Sequence, residues 1–136
     1  MKMILPPLDW EPLYLLLFLL QRGVLKVRRK LSKKITRVLF EMKEQLQSIY
    51  SRQLREIILF GSYARGDYYR GSDIDLLLLL NHMDNPGAER DRYMEIICDL
   101  SLKYDTVVSI TPMDYTVYHT RKTPLILNVQ KEGVRL

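Results

Sequence analysis

Asp75 stands at the head of five consecutive leucines, Leu76–Leu80. With Ile74 before it, this segment is apolar at almost every position, so side chains on both faces of a strand need cover. A small sheet enclosed by helices meets that demand, whereas an open sheet with one wet face does not. Arg55–Phe60 is a second short strand of the buried type, ended sharply by Gly61-Ser62. Thr106–Thr111 is a third, rich in β-branched residues and expected to stop at Pro112.

Helical patterns separate these strands. Ile35, Leu39, Met42, Leu46 and Ile49 recur at steps of four and three, the apolar stripe of an amphipathic helix. Asp84–Gly87 reads as a turn, followed by a helix from about Ala88 to Lys103 with Tyr93, Ile96, Ile97, Leu100 and Tyr104 on its inner stripe. Pro124 suits the first turn of a last helix, Leu125–Lys131. Gly133 ends it, and Val134-Arg135-Leu136 reads as a short edge strand. The order predicts an α/β (α+β) fold with a small mixed β-sheet covered by helices. A chain of 136 residues has room for one such domain but not for a separate substrate-binding domain. We read residues 31–136 as that domain and residues 1–30 as an atypical N-terminal extension.

Within the extension, Leu13–Leu20 is a solid apolar run of eight residues, against roughly twenty for a membrane span. Pro6, Pro7 and Pro12 interrupt any longer helix, and most of the positive charge, Lys26–Lys30, follows the run instead of preceding it as in a signal peptide. We expect no membrane association and a cytoplasmic protein, with the apolar segment a candidate docking helix. The single cysteine, Cys98, cannot form an internal disulfide and belongs to no zinc-type spacing. Its place in the helical pattern predicts burial. His82 and His119 read as surface loop residues.

Charge is uneven. Residues 1–60 carry twelve Lys/Arg against five Asp/Glu, and residues 61–136 nine against eleven. The excess sits in Arg22–Arg37, with eight basic residues and no acid. Such a stretch is either a solvated helix face or a contact for nucleic acid, anionic lipid or an acidic partner.

The chemistry is concentrated in Leu59–Asp75. Gly61-Ser62 directly follows a strand. Glycine lets the chain turn and lets a ligand approach the backbone closely, and Ser62 adds a hydroxyl that can cap a following helix. Free N–H groups beside a hydroxyl form a phosphate site, although Gly-Ser after a strand is also an ordinary turn. Asp73 and Asp75 are two apart, so on a strand both carboxylates project to one side while Ile74 faces the core. Side by side they repel unless a cation lies between them, and Mg²⁺ shared with substrate phosphates answers that need. The alternative is that Ser72-Asp73 caps a turn and Asp75 pairs with a surface arginine. Arg65, one turn beyond the loop, either touches the phosphates or braces the loop through Asp67 or a strand carboxylate.

Gly61, Ser62, Ala64, Arg65 and Gly66, followed by Ser72, Asp73 and Asp75, fill the pattern Gly-Ser-x-Ala-Arg-Gly…Ser-Asp-x-Asp. This closely resembles the signature of minimal nucleotidyltransferases in the DNA polymerase beta-like superfamily. The likeness extends more loosely over residues 31–136, including Asn128-Val129-x-Lys131-Glu132-Gly133. It implies a polymerase beta-like nucleotidyltransferase fold and transfer of AMP or another NMP from ATP or a related triphosphate. It also implies that Gly61, Ser62, Arg65 and Ser72 serve the nucleotide, with Mg²⁺, two ions in all, on Asp73, Asp75 and a third carboxylate. Asp105 is the candidate for that third acid, although Thr106 follows it where the family has an apolar residue. Asp114, beyond Pro112, is the poorer candidate. Stand-alone members of this size resemble antitoxins of toxin–antitoxin pairs that AMPylate a tyrosine of a HEPN-type helical ribonuclease. The resemblance thus implies a HEPN-type toxin as partner. Binding without catalysis, or modification of a nucleic acid held by Arg22–Arg37, are the rival readings.

Overall fold

The leucine run forms an interior strand. In the computed structural model, which describes residues 31–136, β2 (Ile74–Leu80) lies between β1 (Leu54–Phe60) and β3 (Val108–Asp114). A two-residue β4 (Val134–Arg135) pairs with the outer side of β1, giving the order β3-β2-β1-β4. β1 and β2 run antiparallel and β2 and β3 parallel, so the sheet is mixed as expected. The apolar run Leu13–Leu20 and most of Arg22–Arg37 lie outside the described residues. Among the described residues, no helix is long and apolar enough to cross a membrane.

Strand alternation sorts the leucines into two cores. Ile74, Leu76, Leu78 and Leu80 join Ile57 and Leu59 beneath α1 (Lys33–Tyr50) and α3 (Pro86–Tyr104). Leu77 and Leu79 join Ile58 on the opposite face, covered by α4 (Tyr115–Thr120) and α5 (Pro124–Glu132) through Tyr118, Ile126 and Val129. All five leucines are fully buried or nearly so, and each contributes roughly 1.5–3 kcal/mol by leaving water. Asp75 shares the parity of Leu77 and Leu79, so it continues the α4/α5 face beyond its apolar end.

The helices begin where their caps permit. Ser32 accepts the Ile35 N–H at 3.2 Å to start α1, whose stripe Ile35, Leu39, Met42 and Leu46 is buried. The turn before α3 supplies its cap: Asn85 accepts the Gly87 N–H at 3.0 Å and Pro86 takes the first helical position. α3 therefore starts two residues before Ala88. Tyr93, Ile96 and Leu100 form its buried stripe. Cys98 is exposed, contrary to expectation, because, two residues from both Ile96 and Leu100, it lies on the opposite side of the helix from that buried stripe.

The third strand also departs from expectation. It begins at Val108 and passes through Pro112 to Asp114. The Ile74 N–H donates to the Val107 carbonyl at 2.8 Å, so Val107, Ser109 and Thr111 present their backbone groups to β2. Pro112, of opposite phase, sits on the open edge, where a missing N–H costs no ladder bond. Asp114 then caps an unanticipated helix, α4, accepting from the Thr116 and Val117 N–H groups. His119 lies on that helix, exposed, and His82 is exposed at a positive φ of 55°.

Candidate active site

The turn after β1 is built around Gly61. Its φ of 76° and ψ of −157° lie in a region that side chains essentially exclude. A Cβ there would also fall inside 3.0 Å of the Asp75 carboxylate. Glycine is thus required by the backbone and by the carboxylate resting against it. Gly61, not Ser62, is the cap of α2 (Ser62–Arg65), a single turn closed by Gly66 at φ 85°. Ser62 is the first helical residue, and its expected capping role is not seen.

Asp75 pairs across the sheet with Phe60 on β1 and with Ser109 on β3. It is half-buried, while Asp73, one residue before the strand, is exposed. Burial raises the Asp75 pKa, the negative charges of Asp73 and Glu132 add to the rise, and Arg65 opposes it. The carboxylate charge is thus disfavoured in the ligand-free fold. That is the state expected of a ligand whose counter-charge arrives with the substrate. Two carboxylates close enough to couple through their charges, one desolvated, form an all-oxygen donor set suited to Mg²⁺, so these residues fit the ion.

Glu132, the last residue of α5, reaches into the same turn. Its Oε1 accepts from the Gly61 N–H at 3.2 Å, and its carboxylate takes Arg65 Nη1 at 3.1 and 3.2 Å. Arg65 Nε donates to Asp67 at 3.1 Å. The hydrogen bonds to Asp67 and then Glu132 raise the Arg65 pKa further. Arg65 therefore braces the loop between two acids. Sequence reasoning named Asp67 as a partner and missed Glu132, which lies 71 residues from Gly61. The only signal was its place in the Asn128–Gly133 segment.

The remaining expected residues scatter. Ser72 is buried, and its hydroxyl accepts the Tyr69 N–H at 2.9 Å, pinning the loop before Asp73. Tyr63 and Tyr68 stack at 4.4 Å between ring centroids and pack inside that loop. Asp105 does not open the third strand. It is the left-handed C-cap of α3, exposed, with φ 47° and its backbone N–H bonded to the Ser101 carbonyl. It turns the chain before β3 begins, and the structure does not bring it to Asp73 and Asp75. Asp114 sits level with Leu80 at the far end of the sheet. Among the described residues, no group of three His, Cys, Asp or Glu side chains could hold a metal ion.

Residues 39–135 match the model of the family described as the nucleotidyltransferase domain. A Methanocaldococcus jannaschii protein named as a candidate protein adenylyltransferase is 38% identical over 102 residues, covering 75% of this chain and 98% of that one. Among solved structures, the chain is similar to one in a toxin–antitoxin crystal structure with AMP-PNP. The identity is 26% and the TM-score 0.49, over 69% of this chain and 68% of that one. It is also similar to a chain in a complex of tri-AMPylated Shewanella oneidensis HEPN toxin with MNT antitoxin. There the identity is 21% and the TM-score 0.43, over 72% and 70% of the two chains.

Proposed function

The chain belongs to the nucleotidyltransferase domain family, and from that premise we propose that it transfers AMP from ATP to a tyrosine hydroxyl of a partner protein, with Mg²⁺ held by Asp73 and Asp75. The observation that supports this reading is the seating of the Asp75 carboxylate against Gly61, an acid able to take a cation beside a turn suited to phosphate. Gly61 keeps that turn free of side-chain bulk, and Ser62 offers a hydroxyl at its edge. Arg65 and Glu132 hold the turn in shape, and Ser72 holds the approach to Asp73.

Transfer forms a bond between the acceptor oxygen and the α-phosphorus and breaks the bond from that phosphorus to the α–β bridging oxygen. Diphosphate leaves, and the hydroxyl proton passes to solvent. Bound Mg²⁺ supplies charge neutralisation on the triphosphate as negative charge shifts to the leaving diphosphate. A protein acceptor is supported by the name of the Methanocaldococcus relative, which this chain spans almost end to end. The partner in our reading is a HEPN-type helical protein, as the motif resemblance implies, and residues 31–136 form the transferring domain.

A second reading, neutralisation of the partner by binding alone, is favoured by one observation: β3 places no carboxylate beside Asp75. Incubation with α-labelled ATP, Mg²⁺ and a HEPN-type helical protein separates the two. We expect label on a partner tyrosine by mass spectrometry, lost in Asp75→Asn. Partner inhibition that needs no ATP would overturn the transferase reading of its biology.

A further inference from the structure

The parallel pairing of β2 with β3 fixes what stands beside each acid. Asp75 is in register with Ser109, and Ile74 with Val108. Residues in register on adjacent strands lie on the same face about 4.8 Å apart, so Ser109 is the side neighbour of Asp75. It is exposed and neutral. A serine hydroxyl cannot balance a second divalent ion as a carboxylate does.

No other described acid fills the gap. Asp105 precedes β3 as the left-handed cap of α3, and the Lys34 ammonium bonds its carbonyl at 3.3 Å. Asp114 is five residues along the sheet from the level of Asp75, roughly 17 Å at the rise of a strand. Its carboxylate is committed to the Met83, Thr116 and Val117 N–H groups. Glu132 acts on Asp75 through its charge but is occupied by Gly61 and Arg65.

We propose that this chain holds a single divalent cation, on Asp73 and Asp75, and that Ser109 occupies the position from which a third carboxylate would complete a two-cation site. The inference deepens the proposed function and rests on it. It also bears on the acceptor. With no second cation to draw the proton from the attacking hydroxyl, a phenol, with an ordinary pKa of about 10, suits the site better than the far less acidic hydroxyl of a sugar.

The test counts bound Mn²⁺ by electron paramagnetic resonance on the full chain with saturating AMP-PNP, against bound nucleotide in the same samples. We expect one Mn²⁺ per nucleotide in the wild type and still one in Asp105→Asn, whose side chain also tolerates the left-handed cap. Ser109→Asp should give two, and Ser109→Asn, a neutral control of matching size, should stay at one. Asp73→Asn and Asp75→Asn should each weaken Mn²⁺–AMP-PNP binding at least tenfold. Two Mn²⁺ in the wild type, a loss in Asp105→Asn, or no gain in Ser109→Asp would each overturn the inference while leaving the transferase reading intact. A wild type that binds no Mn²⁺–AMP-PNP overturns both.

Discussion

Glu132 Oε1 accepts the Gly61 N–H at 3.2 Å, so the end of the last helix rests on the turn that follows the first strand. This contact closes a circuit. Glu132 holds Gly61 and Arg65, Arg65 holds Asp67, and the Asp75 carboxylate lies against Gly61. The C-terminal helix thereby sets the shape of a loop whose own sequence is too short to shape itself.

Glu132→Ala should therefore act on nucleotide use more than on folding. The loop loses an acceptor for its first N–H and the anchor of its arginine. A lost charge-assisted hydrogen bond is worth roughly 1.5 kcal/mol, or about a tenfold rise in KM for ATP, with kcat falling less. Glu132→Gln keeps the Gly61 bond and should recover part of the loss. Steady-state kinetics on both variants decide it. An unchanged KM in Glu132→Ala would leave Glu132 with no part in positioning the loop.

Gly61→Ala tests the same turn from inside. The substitution forces a side chain into a glycine-only backbone region, at a cost of roughly 1–3 kcal/mol, and pushes a methyl group into the Asp75 carboxylate. We expect a lower melting temperature and loss of ATP binding together. A variant that melts lower yet binds ATP normally would show that Asp75 can move aside without consequence.

The i, i+2 spacing of Asp73 and Asp75 was readable from the sequence alone, and the structure adds that only Asp75 lies on β2, with Asp73 one residue before it. The leucine run was legible too, since a strand apolar on both faces has few places to sit. What could not be read was set by pairings distant in sequence. The edge position of β3 decides that Pro112 is tolerated, and its register with β2 decides that Ser109, not Asp105, flanks Asp75. Asp105 looked like a strand opener because β-branched residues follow it. One left-handed residue ends α3 there and shifts the strand start to Val108. Glu132 carried no local sign of its partners, which lie 71 and 67 residues away.

Asp73→Asn and Asp75→Asn each remove a charge without removing volume, and both should abolish transfer. Their stabilities should differ from those of ordinary core variants. Burial and the charge of Asp73 disfavour ionised Asp75 in the ligand-free fold, so Asp75→Asn should melt no lower than the wild type without Mg²⁺. The wild type should gain stability on adding Mg²⁺ and ATP, and Asp75→Asn should not. Thermal melts with and without Mg²⁺–ATP, run beside the transfer assay, check both halves. Full activity in either variant would remove the metal assignment.

Asp114 separates a structural acid from a chemical one. Its carboxylate caps α4, and the N–H groups of Val117, Met83 and Thr116 lower its pKa. An acid whose folded pKa is depressed stabilises the fold above its unfolded value, about 3.9. It loses that contribution as pH falls through the folded value. Asp114→Ala should therefore cost about 1 kcal/mol at neutral pH, as for other lost caps, and the gap from wild type should narrow as pH falls below the ordinary aspartate value and through the depressed folded one. ATP binding and transfer should be unchanged, because Asp114 stands level with Leu80, at the opposite end of β2 from the turn at Gly61. Denaturant unfolding across pH, paired with the transfer assay at neutral pH, measures both. A large fall in transfer with stability intact would place Asp114 in the chemistry, and the register of β3 against β2 could not then be the one seen here.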